Sequence, residues 1–265
     1  MNQSTGSLLA VILTIAAAPA AAQWMHYPTA GIPRTPDGTP NLSAPAPRTP
    51  DGKADLSGLW QPGATVANRF GNGQLPPEWA NIAASLKKPL PYRPWALELL
   101  KARQANNAKD SPSGLCLPLS IVHKHSEPSP RKMLQFPGLL VILYEMGAEY
   151  RQIFTDGRPL PVDPNPSFLG YSSGRWEGDT LVVQTIGIRD DEWLDARGTP
   201  LTDAARVTER FRRPNFGTLE IDLTVDDSKA YTEPWTVNLI QLAIDTDRLE
   251  GFCENNRDLP HLVGK

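Results

Sequence analysis

Three charged side chains fall where strand alternation turns them toward an apolar face. In Val207-Thr208-Glu209-Arg210-Phe211 the Glu209 carboxylate shares a face with Val207 and Phe211. In Leu139–Glu145, Glu145 falls with Val141 and Leu143, and in Tyr150-Arg151-Gln152-Ile153, Arg151 falls with Ile153. If those neighbours mark an interior, two carboxylates and a guanidinium converge there. Burial raises a carboxylate pKa unless a cation compensates. The carboxylate beside Arg151 then stays ionised while the other moves toward neutrality, which separates acid from base. The chemistry expected is cofactor-independent proton transfer. Glu145 and Glu209 act as acid and base, and Arg151 holds the ligand or stabilises developing negative charge. Surface ion pairs, or a buried structural Arg–Glu pair without chemistry, are the competing readings.

Other side chains could bind a ligand. Tyr144 and Tyr171 offer hydroxyls, or are ordinary core tyrosines. Arg158, in the turn Asp156-Gly157-Arg158, would line a mouth together with Asp163. Trp193-Leu194-Asp195 would cap a ligand with an aromatic face, or simply anchor its loop. His123-Lys124-His125 puts two imidazoles on one side if extended, but no third ligand follows at useful spacing, so no metal is expected. Asp190-Asp191-Glu192 reads as a solvated loop. Asp51-Gly52-Lys53 lacks the upstream glycine and the following Ser/Thr of a phosphate loop.

The elements that must position these residues are mostly strands. Gly170–Ile188, GYSSGRWEGDTLVVQTIGI, is two strand-like runs around the turn Glu177-Gly178-Asp179, a hairpin signature. Further strands are expected near Met133–Phe136, Leu139–Met146, Glu149–Thr155, Ala205–Arg213, Thr218–Val225 and Thr232–Ala243. Leu219, Ile221, Leu223 and Val225 alternate with Glu220, Asp222 and Thr224, as one buried and one wet face require. Roughly eight such strands can close into an antiparallel up-and-down barrel holding one small ligand. The polar insert Arg189–Thr202 would lie over its mouth. Upstream, Pro77–Lys88 and Pro94–Asn106 carry helical spacing, with Pro94 suited to the first turn. Before them, Arg34-Thr35-Pro36-Asp37-Gly38 with Leu42-Ser43 recurs 14 residues on as Arg48-Thr49-Pro50-Asp51-Gly52 with Leu56-Ser57. This proline-rich stretch is either a wrapping arm or a segment whose Leu56–Trp60 docks as a strand and plugs a barrel end with Trp60.

The hairpin, with YEMGAEYRQIFTDGR before it and WLDARG, VTERFRR and YTEPW after it, resembles a large family of exported bacterial proteins of unsettled function. The likeness spans roughly Thr49 to Asn256. It implies a calycin-like, lipocalin-type barrel and carries no general activity. Relatives tend to have histidine where this chain has Leu160 and Leu201, so histidine chemistry at those positions does not transfer.

Composition bounds the rest. Leu8–Ala18 is an apolar run followed by Ala20-Ala21-Ala22, which reads as a signal peptide cleaved after Ala22 and a periplasmic or secreted destination. At about 11 residues the run is shorter than the ~20 of a spanning helix, so no stable membrane insertion is expected. The net charge of −3 comes with no basic stripe for nucleic acid. Cys116 and Cys253 are the only cysteines, and an oxidising compartment suggests that they pair. So long a loop is worth about 4–5 kcal/mol in the chain-entropy model. The domain reading is 1–22 signal peptide, 23–62 extended arm, 63–131 helical and irregular segment, 132–249 barrel, 250–265 tail. The expected function is a cofactor-independent lyase, isomerase or hydrolase for a small apolar or aromatic molecule. The alternative is a non-catalytic periplasmic binding protein for a small hydrophobic ligand.

Overall fold

The computed structural model describes residues 31–63, 75–244, 251 and 253. The expected signal peptide and nearly all of the tail lie outside these. The chain is mainly β, and nine strands close a barrel. They are β1 (Gly58–Pro62), β2 (Arg131–Phe136), β3 (Leu139–Tyr144), β4 (Tyr150–Phe154), β5 (Tyr171–Glu177), β6 (Thr180–Ile186), β9 (Arg206–Asn215), β10 (Thr218–Asp226) and β11 (Trp235–Ala243). Around the barrel the order is β1-β11-β10-β9-β6-β5-β4-β3-β2, and β1 pairs β2 to complete the ring. β7 (Glu192–Trp193) and β8 (Pro200–Leu201) form a separate two-stranded ribbon inside the Arg189–Thr202 insert.

Local chemistry sets the hairpins. Pro137-Gly138 joins β2 to β3, with Gly138 at φ +75. That is the Pro-then-Gly order of a type II turn, whose third residue needs positive φ. Gly178-Asp179 joins β5 to β6, with Gly178 at φ +61. One junction departs from a plain up-and-down meander: β4 and β5 run parallel, pairing Ile153 with Ser172 and Phe154 with Ser173. The long connection after β4 makes this possible, because a parallel pair needs a crossover and not a tight turn.

The ninth strand comes from the proline-rich arm. β1 bridges β11 and β2, and Trp60 is fully buried, its Nε1 donating to the Leu56 carbonyl (3.0 Å). The rest of the arm wraps the outside. Its two echoed turns fold alike: the Gly38 and Gly52 amides each donate to a threonine carbonyl at 2.9 Å, and Arg34 and Arg48 each donate to the glycine carbonyl. Arg48 also pairs with Asp179 of the β5–β6 turn.

The helices are short. α1 (Pro77–Ala80) ends well before Lys88, because side chains take over the next amides. Asn81 Oδ1 accepts from Ala83 N, and Asp195 Oδ2 accepts from Ile82 N (2.9 Å). α2 (Pro94–Ala105) carries the expected Pro at its first turn. α3 (Ile121–Ser126), where an extended segment was conceivable, is a helix capped by Ser120 Oγ, and all six of its residues are buried. Cys116 and Cys253 are disulfide-bonded, closing a separation of 137 residues. No helix among the described residues is long and apolar enough to cross a membrane.

Candidate active site

Inward-facing positions build a mostly apolar core: Met133, Leu140, Ile142, Ile153, Leu181, Val183, Val207, Phe211, Leu219, Ile221, Leu223 and Val225 are at most 1 % exposed. Into it project Arg151 from β4 and Glu209 from β9, on the same faces as Ile153 and of Val207 and Phe211. They meet as a two-pronged ion pair, Nη2–Oε2 at 2.5 Å and Nη1–Oε1 at 2.9 Å. Nε and Nη2 of Arg151 also donate to Ser172 Oγ, and Nη2 to Thr185 Oγ1 (2.9–3.1 Å). All three of its nitrogens are thereby engaged with the barrel wall.

Glu145 is a correction. The inward residues of β3 are Leu140, Ile142 and Tyr144, and Glu145 follows the strand in phase with the outer Val141 and Leu143. LLVILY is apolar on both faces, so its alternation has no readable phase; only closure of the barrel selects one. Tyr144 takes the inward place. It is fully buried beside Arg151, and burial pushes its pKa up to about 12.

The other expected ligand residues also moved. Tyr171 precedes the inward Ser172 and stacks on Phe154 (5.5 Å between centroids). Arg158 is exposed, paired with Asp156 and lying 3.9 Å over the same Phe154 ring. Trp193 and Asp195 are buried anchors of their loop. Arg103 covers the Trp193 ring at 4.6 Å, and Asp195 accepts from Ile82 N, Arg197 N, Thr199 N and Thr199 Oγ1. A carboxylate so fully engaged organises backbone, as Asp does wherever its oxygens cap nearby amides.

The residue that completes the site is His125 of α3. Its Nε2 lies 2.5 Å from Glu209 Oε1, while its Nδ1 is buried with no hydrogen-bond partner. The two histidines of His123-Lys124-His125 stand out in the sequence, but only as the start of a metal site that lacks a third ligand. The helix separates the two rings instead: His123 stacks on Trp79 (4.4 Å), and no metal-binding cluster occurs among the described residues. Lys124 turns to Glu149 (3.4 Å) and the Met146 carbonyl.

Electrostatics give these groups fixed roles. Burial alone would raise Glu209, but the Arg151 guanidinium and hydrogen bonds from Arg151 and His125 outweigh it and hold its pKa at about 2. Burial also works against the Arg151 charge, and Glu209 overcomes it. His125 is depressed, chiefly by burial and further by Arg131 and Arg151, against the pull of Glu209. At neutral pH the imidazole is uncharged. Facing an ionised carboxylate, its Nε2 must carry the hydrogen, which leaves a lone pair on Nδ1. Beside His125, a cleft of about 310 Å³ is lined by Pro62, Pro76, Glu78, Ser126 and Gln241 among others.

Gly170-Tyr171-Ser172-Ser173-Gly174 matches Gly-x-Ser-x-Gly spacing, a match with no functional weight here. Ser172 lies within β5 with its Oγ bound to Arg151 and Thr185, whereas a nucleophile elbow needs a strand–turn–helix with the hydroxyl exposed. No family model, curated protein or solved structure matches the chain.

Proposed function

We propose that this protein is a cofactor-independent acid–base enzyme, a lyase or isomerase, acting on a small carbonyl-bearing molecule, with His125 as its base. The observation that carries the reading is a neutral imidazole whose Nε2 is held by an ionised carboxylate and whose Nδ1 has no hydrogen-bond partner. That is the geometry of a base with an orienting partner. Glu209 is thereby recast from base to positioning residue, and Arg151 keeps it ionised. Nδ1 takes a proton from carbon next to a carbonyl, and the electron pair shifts onto the carbonyl oxygen. The imidazolium then returns the proton at another atom, giving isomerisation, or a neighbouring leaving group departs, giving elimination. Glu209 steadies the imidazolium meanwhile. The closed barrel accords with a ligand-holding role, and the disulfide accords with an oxidising compartment.

The test is deuterium wash-in from D2O into a panel of small ketones and carboxylic acids, followed by NMR. Wild type should exchange at least one of them. His125→Asn should abolish exchange, and Glu209→Gln should reduce it through misplacement of the ring. Saturable binding of a small apolar molecule with no exchange by wild type would refute the enzyme and favour the carrier.

A further inference from the structure

Arg151 and Arg131 are both buried in the barrel and are treated oppositely. Arg151 has a carboxylate in contact and hydrogen bonds from all three of its nitrogens. Arg131, the first residue of β2, is 2 % exposed, and its guanidinium makes one hydrogen bond, Nη2 to the Glu127 carbonyl at 2.8 Å. Its Nε and Nη1 are buried without partners, and among the described residues no carboxylate forms an ion pair with it. The buried Glu127 carboxylate acts on it through space without an ion-pair contact, so the unmet need of Arg131 is for hydrogen-bond acceptors, and buried donors left without them are costly.

Its surroundings lie on the site already described. Arg131 pairs across the sheet with Tyr144 on one side and Trp60 on the other, and its Nη2 binds the carbonyl of Glu127, two residues past His125 at the end of α3. On β11, Gln241 Nε2 donates to the His125 carbonyl (3.1 Å) and itself lines the cleft. The unpartnered acceptor His125 Nδ1 and the unpartnered donors of Arg131 thus belong to one neighbourhood.

We propose that Arg131 receives the oxyanion of a small carboxylate ligand, which names the substrate class of the enzyme reading on which this inference rests. A guanidinium edge offering Nε–H and Nη1–H presents parallel donors to the two oxygens of a carboxylate. One such oxygen would also collect the negative charge that develops when His125 Nδ1 removes the neighbouring proton. Trp60 and Tyr144 are the cross-strand neighbours of Arg131, so an aromatic body on the ligand would suit its surroundings.

Titration calorimetry at fixed ionic strength tests this, with acetate and benzoate as probes and benzamide as the neutral control. Wild type should bind a carboxylate saturably and in preference to benzamide. Arg131→Met should weaken carboxylate binding by about 10- to 100-fold, the span of a charge-assisted hydrogen bond. Arg131→Lys, which keeps the charge and loses the fork, should fall between and covers the case in which the methionine variant does not fold. If neither carboxylate binds, or if both Arg131 variants bind as wild type does, Arg131 faces ordered water only and the proposal is overturned. Carboxylate binding through Arg131 with no deuterium exchange would refute the enzyme reading alone. Exchange into neutral ketones with no preference for carboxylates would refute the Arg131 assignment alone.

Discussion

Replacing Glu209 by glutamine keeps the shape of the side chain and removes the charge at the centre of the barrel. Arg151 would then be a buried cation facing an amide. Breaking one partner of a buried pair costs about 3–5 kcal/mol, because the other is left uncompensated. The titration of Glu209 gives a consistent figure. Its folded pKa of about 2 lies below its ordinary 4.5, and at about 1.4 kcal/mol per pH unit the difference is roughly 3 kcal/mol. The sign follows from proton linkage. The group is depressed in the folded state, so its stabilisation is fully present above pH 4.5 and is lost as pH falls through about 2. Thermal unfolding of wild type and Glu209→Gln between pH 2 and pH 7 is the assay. At pH 7 the variant should melt roughly 10 °C lower, at about 2–4 °C per kcal/mol for a chain of this size. The gap should close toward pH 2. The double variant Arg151→Met/Glu209→Gln should recover part of the loss, because the orphaned cation is gone. Equal melting temperatures at pH 7, or a gap that does not change with pH, would refute the picture of Glu209 as an ionised, Arg151-clamped carboxylate.

Burial and Lys124 press the His123 pKa down to about 3, so its contribution is present above pH 6.5 and drains away as pH falls toward 3. His123→Phe should flatten acid denaturation in that window, and a variant as acid-sensitive as wild type would count against it. Reduction of Cys116–Cys253, or Cys116→Ser with Cys253→Ser, should lower stability by about 4–5 kcal/mol, read by urea denaturation. At Gly170, φ is +64 and an added Cβ would lie 2.7 Å from the Ile186 carbonyl oxygen. Gly170→Val should therefore cost more than 2 kcal/mol, the scale of backbone strain plus overpacking, measured the same way.

The inward placement of Arg151 and Glu209 could be read along the chain because each shares a strand face with apolar neighbours and alternates with polar ones; Gln152, Thr208 and Arg210 mark the wet side. A two-residue period carries its own phase wherever one face is polar. The same holds for β10, whose Leu219, Ile221, Leu223 and Val225 are buried, and for the turns, where Gly138 and Gly178 need backbone angles that few residues adopt. The echoed Thr-Pro-Asp-Gly turns were equally local. By contrast, Leu139–Tyr144 is apolar on both faces, so whether Tyr144 or Glu145 points inward was settled only when β2 and β4 paired with it. The parallel contact of β4 with β5 is decided by closure of the ring, to which no local pattern refers, and closure also chooses between the two readings of the arm by recruiting Gly58–Pro62 as the ninth strand. The meeting of His125 with Glu209, 84 residues apart in the chain, is of the same kind. Sequence determined which side chains could ionise and which strands could hide them. Tertiary packing chose the partners, because a buried charge takes whatever counter-charge the closed barrel brings within reach.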